Sequence, residues 1–191
     1  MNNTIISQST FLTLESYDRM IAAIVEGNNS SVYKDSMKPY ILANQLLEQK
    51  IQKGISLNKK FFNAILKTKQ TSLCLITEPW CLDACVLLPL MRAVEIANEN
   101  IRISIALRDQ NEDLMNQFLT NGSKSIPILF GLDVDSKIVF RWGPRGAEAQ
   151  RLANEFKEAP LEIKIEQLTA FYLQDLTQEI QEEWIGLLNA E

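Results

Sequence analysis

Glu78-Pro79-Trp80-Cys81-Leu82-Asp83-Ala84-Cys85 follows directly on the run Ser72-Leu73-Cys74-Leu75-Ile76-Thr77. That run is short, apolar and β-rich, as a strand covered on both faces in the middle of a sheet must be. Beyond it the pattern predicts a long helix over 81–97, so Trp80 and Cys81 fall where a strand gives way to a helix. A cysteine in that place has unpaired backbone N–H groups and the positive end of the helix dipole beside its sulfur, and both favour thiolate over thiol. Cys81 is therefore expected to be the reactive thiol.

Downstream, Ile101-Arg102-Ile103-Ser104-Ile105-Ala106-Leu107 alternates as a second strand, and 111–119 reads as a helix ending near Gly122. Strands are predicted over 127–130 and 137–142, with the turn-rich residues 131–136 joining them as a hairpin. Pro127 heads the first of these strands, where a proline belongs only at an edge or as the first residue. The order strand, helix, strand, helix, strand, strand, helix describes an α/β sheet of mixed direction.

Upstream the period changes to that of helices. Phe11, Leu14, Tyr17, Met20, Ile21, Ile24 and Val25 form one stripe that stops at Gly27 and Asn28. A second helix is expected over 39–53, carrying Ile41, Leu42, Leu46 and Ile51 and ending at Gly54, and a third over 58–67 with Phe61, Phe62, Ile65 and Leu66 facing one way. Residues 147–191 are helical by pattern with a break at Pro160, and the stripe from Leu161 through Phe171, Leu176 and Trp184 to Leu187 is expected to dock on the N-terminal helices. The organisation read from this is an N-terminal helical extension (1–68), a core (69–157) and a C-terminal helix (158–191) packed on the same unit.

With 46% hydrophobic and 23% charged residues, the 191-residue chain has the balance of an ordinary globular protein. A formal net charge of −5 with scattered Lys and Arg argues against a nucleic-acid partner. Neither a basic leader nor a bilayer-length apolar stretch is legible, so no membrane association is expected and a cytoplasmic location is. The three cysteines, Cys74, Cys81 and Cys85, are too few and too clustered for a secreted disulfide scaffold. Histidine is absent, which removes Ser-His and Cys-His pairs and the imidazole ligand of a metal site.

Trp80-Cys81 at the turn, Pro89 within the following helix, Ile126-Pro127 before the third strand and Gly143 after the fourth together resemble the thioredoxin superfamily, in particular a divergent bacterial branch with helical ends. Arg108-Asp109-Gln110-Asn111, Asn121-Gly122 and Trp142-Gly143-Pro144-Arg145 extend the resemblance, which covers residues 71–156. It implies a three-layer thioredoxin-like fold with a mixed β-sheet and added terminal helices, and a cis Pro127. It also implies thiol-disulfide chemistry on protein thiols or disulfides, with no cofactor. Cys81 would be the nucleophile, Cys85 the resolving thiol, Trp80 a shield, and Ile126 and Pro127 the substrate-facing backbone.

Departures from the redox pattern leave a second reading open. Ala84 occupies the place of the second cysteine and Cys85 comes one residue later. Helical neighbours four apart have Cβ atoms about 5–6 Å apart, whereas a disulfide wants roughly 3.5–4.5 Å. Cys81 as a cap residue has some slack, so a strained, easily reduced pair stays open. Asp83 stands where the usual motif has proline and opposes the thiolate, and Leu75 replaces the buried acid of thioredoxins proper. Glu78 is a candidate modulator beside Asp83, expected to be solvated. Relatives that deliver copper also space two cysteines by three residues, but they add a histidine, so no metal site is expected. The alternative to an oxidoreductase or redox-responsive protein is a non-catalytic interaction module with a degenerate site.

Overall fold

The computed structural model describes residues 3–27, 33–68 and 72–188, so the features expected at Asn28, at 69–71 and at 189–191 lie outside the described residues. The N-terminal third holds α1 (Asn3–Gln8), α2 (Leu14–Val25), α3 (Lys38–Gly54) and α4 (Lys59–Lys67). The central part runs β1 (Ser72–Thr77), α5 (Ala84–Ala97), β2 (Arg102–Leu107), α6 (Glu112–Met115), β3 (Ile128–Leu132) and β4 (Ile138–Trp142). Then come α7 (Ala147–Glu155), α8 (Leu161–Asp175) and α9 (Gln178–Leu188).

The sheet has the order β2-β1-β3-β4, with β1 parallel to β2 and antiparallel to β3, and β3 antiparallel to β4. β1 lies inside it and alternates between two cores: Leu73 and Leu75 face the α5 side, Cys74 and Ile76 the α6 side. Both faces being covered is why its sequence is apolar throughout. This is the thioredoxin-like α/β fold with mixed sheet and helical extensions that the resemblance implied. The β2 edge is closed by the chain's own start, since the backbones of Leu12 and Ile105 exchange hydrogen bonds of 2.7 and 2.8 Å. Asn111 ties that segment down: its Nδ2 donates to Leu107 O and Thr10 O while its Oδ1 accepts from Thr10 N–H.

Several helices differ from the periodicity. α2 starts at Leu14, because Thr13 caps it by accepting from the Ser16 N–H, and the preceding residues serve the sheet edge. On α3 the buried positions are Ile41, Asn44, Leu47 and Ile51, while Leu42 and Leu46 are exposed; on α4 Phe61, Ala64 and Ile65 are buried, and Phe62 and Leu66 are exposed. A shift of one residue turns a helix face by about 100°, which is what separates the expected stripe from the real one. The expected helix over 111–119 reduces to α6 and turns. Gly131 and Leu132 belong to β3, so the hairpin turn is shorter, with Asp133 Oδ1 accepting from the Asp135 and Lys137 N–H groups.

The C-terminal stripe is broken a second time. Leu176 and Thr177 take positive φ, and Asp175 accepts from the Glu179 N–H at the start of α9. Among the described residues, α9 packs on α4 and α8 on α3. The Phe61 and Trp184 rings lie 6.3 Å apart, and buried Gln181 accepts from Asn58 N–H and donates to Ser56 O.

Candidate thiol site and its groove

Cys81 sits in the turn between β1 and α5, and its N–H donates to Glu78 O. The helix begins only at Ala84, so the expectation of a helix from Cys81 is corrected: Pro79 to Asp83 form turns that bring the sulfur under the sheet's end. Asn44 steadies this turn from α3 by donating to Pro79 O at 3.1 Å. The Cys81 Sγ lies 3.6 Å from the carbonyl of Ile126, to which it donates. Ile126–Pro127 is a cis peptide, and so is Gly143–Pro144.

Backbone N–H groups of Ala84 and Asp83 do face the sulfur, as expected at this end of the helix. They do not prevail. Cys81 is only 7% exposed. Burial first, and the Asp83 carboxylate second, push its thiol up to about 12. The expectation of an activated thiolate is thus corrected: the same packing that presents the N–H groups also takes the sulfur out of water. Cys85 is buried too, its Sγ donating to Leu82 O at 2.8 Å, and burial with the charges of Glu48, Cys81 and Asp83 raises it well above the usual thiol range. Cys74 is core on β1, raised to about 12 by burial, and all three cysteines are free thiols.

Asp83 is the centre of a buried polar cluster. Its Oδ2 lies 2.7 Å from Arg145 Nη2, and its Oδ1 accepts from Tyr172 OH at 2.7 Å. Burial nevertheless holds its carboxyl above the usual range, against the pull of Arg145. The Arg145 Nε is buried with no hydrogen-bond partner among the described residues. Glu78 is corrected from a solvated to a buried group, at 1% exposure. Tyr33 OH donates to its Oε2 at 2.6 Å and Asp109 N–H to its Oε1 at 2.9 Å, and burial raises its carboxyl.

Trp80 is half-buried, with the Arg108 guanidinium 4.9 Å above its ring. Trp142 is packed edge-on to Trp184 and donates from Nε1 to Glu183. Gly143 has φ +111°, and a Cβ there would fall 2.3 Å from Pro127 O, so only glycine lets these two segments cross behind the site. In front of it lies an open groove of about 1850 Å³, bounded by α3, the Trp80–Asp83 turn, Ile126, the segment 141–145 and α8.

The sequence signature of the thioredoxin family matches residues 30–157. The chain belongs to that family. Among solved structures it is similar to an HIV epitope-scaffold, at 17% identity and a TM-score of 0.56, over 89% of this chain and 92% of that one. It is also similar to a protein of unknown function from Pseudomonas aeruginosa, at 16% identity and a TM-score of 0.49, over 82% and 91%. At such identity the first likeness shows the fold alone. No curated protein matches.

In this thioredoxin-family chain the structure brings Cys81, Asp83, Ile126 and Pro127 together, with Trp80 at the groove's lining and Cys85 and Glu78 behind it. The sequence does not single out Tyr172, Tyr33 and Asn44 as site residues, and Arg145 enters it only within the stretch Trp142-Gly143-Pro144-Arg145 that extends the resemblance. Asn44 had a signal, a polar residue at the apolar phase of α3; the tyrosines had none, being ordinary members of helix and loop patterns. Among the described residues no cluster of Cys, Asp and Glu is arranged to hold a metal ion, and no helix is long and apolar enough to cross a membrane.

Proposed function

We propose that this thioredoxin-family chain is a redox-responsive thiol protein that exchanges disulfides with extended polypeptides through Cys81. The observation that carries the reading is the Cys81 sulfur against the Ile126 carbonyl, beside Pro127, at the wall of an open groove. In the step, the Cys81 proton passes to the carboxylate of Asp83, two residues on and raised by burial. The sulfur attacks one sulfur of the partner's disulfide, the S–S bond breaks, and the leaving thiolate takes the proton back. Cys85 then attacks the Cys81 sulfur of the mixed disulfide, its proton passing to the departing sulfur, so that the partner leaves with its second thiol and a Cys81–Cys85 disulfide remains. A dithiol reductant restores the pair. With a thiol at about 12 the thiolate is scarce at neutral pH, which suits a slow, responsive exchange rather than rapid turnover. In this reading residues 69–157 are the working core, 1–68 and 158–191 brace it, and the setting is a cytoplasm rich in protein thiols.

A second reading, a non-catalytic interaction module, is favoured by the burial of both sulfurs and by the Cys85 thiol turned to Leu82 O. The mass of the intact chain after thiol labelling, across a series of glutathione potentials, decides between them. Loss of two labelled thiols mapping to Cys81 and Cys85 at one potential supports exchange. Three labelled thiols at every potential supports the module.

A further inference from the structure

The groove is charged opposite to the molecule that carries it. The chain's formal net charge is −5. Yet Lys50, Arg108, Lys124, Arg141, Arg145, Lys157 and Lys164 border the groove, against the carboxylates of Asp83 and Glu183 among the described residues. Some of these cations are already paired: Arg108 with Asp109, Lys124 with Glu112, Lys157 with Glu158 and Arg145 with Asp83. Lys50, Arg141 and Lys164 have no carboxylate partner among the described residues. Arg141 is held in place all the same, donating to Leu119 O and Thr120 Oγ1.

Between these cations the lining mixes aliphatic and aromatic side chains with neutral polar ones such as Asn121, Ser125 and Gln167. Tyr40, Leu46, Leu161 and Leu173 are exposed, at 40%, 51%, 54% and 36%, and all border the groove. At about 1850 Å³ the space exceeds the roughly 300–1,000 Å³ typical of a small-molecule pocket. Open length, aliphatic floor and unpaired cations together describe a seat for a polypeptide segment that alternates apolar and acidic side chains. A nucleic acid would want several aromatic faces to stack on; Trp80 is already covered by Arg108, which leaves Tyr40 as the exposed large ring of the lining.

We propose that the groove beside Cys81 receives an extended acidic segment of a partner polypeptide, its carboxylates meeting Lys50, Arg141 and Lys164 and its aliphatic side chains covering Leu46, Leu161 and Leu173. This names the partner class for the exchange reading and rests on that reading only where it assigns chemistry to the docked segment; docking itself needs no thiol. The occupant's charge also steers encounter, since exposed complementary charges act chiefly on association rate and salt dependence.

The test is fluorescence anisotropy of short dye-labelled peptides with the full-length chain carrying Cys81→Ser, which separates docking from thiol chemistry. A leucine–glutamate peptide is expected to bind at least about tenfold more tightly than its leucine–glutamine counterpart, a free-energy difference of about 1.4 kcal/mol. A leucine–lysine peptide is expected to bind more weakly than either. Raising salt from about 0.05 M to about 0.5 M is expected to remove the preference for glutamate. Lys50→Glu with Lys164→Glu, at positions bearing no ion pair among the described residues, is expected to reverse it with an unchanged melting temperature. Equal affinity for the three peptides, preference for lysine, or tighter binding of a single-stranded oligonucleotide of equal length would overturn the proposal. Failure of the labelling experiment above would leave this result standing, and the converse holds.

Discussion

Replacing Asp83 by asparagine sets a second N–H donor against Arg145 where an acceptor stood, while leaving an oxygen for Tyr172 OH. Breaking a buried ion pair by removing one partner costs about 3–5 kcal/mol. The Asp83 side chain is 7% exposed but that of Arg145 is 27% exposed, so the low end applies. About 3 kcal/mol corresponds to a melting temperature about 6–12 °C lower in a chain of this size. The thiol responds in the opposite sense. Asp83 is the second cause, after burial, of the raised Cys81 value, so Asp83→Asn is expected to bring Cys81 down from about 12 while burial keeps it above an ordinary thiol. Thermal unfolding and the pH dependence of iodoacetamide alkylation, mapped to Cys81 by mass, read the two effects separately. An alkylation profile that stays in place or moves to higher pH refutes the electrostatic account. A melting temperature within about 2 °C of the parent's refutes the ion pair's structural role. Asp83→Leu with Arg145→Met and Tyr172→Phe removes both charges and the hydroxyl that Asp83 accepts from, and is expected to recover most of the loss, because apolar replacement of a buried pair is often neutral or better.

Stability is expected to rise as pH falls from neutrality toward about 4. Glu78 and Asp83 are raised in the folded chain, so their contribution is fully present below the unfolded value of about 4 and is lost as pH rises through the folded one. The lowered, fully exposed Asp35 and Glu112 pull the other way but are screened by solvent. Cys74 and Cys81 act likewise at the alkaline end, with a contribution present below about 9 that disappears toward about 12. A urea midpoint lower at pH 5 than at pH 7, or flat above pH 9, contradicts these signs. Gly143→Ala drives a Cβ to 2.3 Å from Pro127 O at φ +111° and is expected to cost at least about 3 kcal/mol in urea unfolding. A loss under about 1 kcal/mol would show that the crossing of these segments adapts easily.

The strands were legible because each announces itself locally. β1 is covered on both faces and so is apolar without interruption, and Pro127 stands before β3 where no ladder hydrogen bond is asked of it. Helix existence was legible too, but helix phase was less so: on α3 and α4 apolar residues line two adjacent faces, one for the core and one including groove-lining Leu46. The second break in the C-terminal stripe depends on backbone conformation at Leu176 and Thr177, residues with no intrinsic leaning toward positive φ.

What the sequence determined by itself is the family, through motifs spread over residues 71–156, and the strand-to-helix turn carrying Trp80-Cys81, which follows from short-range pattern. The tertiary structure alone decided the state of the thiol. Tyr172 reaches Asp83 across 89 residues and Tyr33 reaches Glu78 across 45. Desolvation of Cys81 is the sum of contacts from β3, α5 and their neighbours. A helix end favours thiolate through local dipoles, but burial acts through everything packed around the sulfur, and in this protein the larger effect is the non-local one.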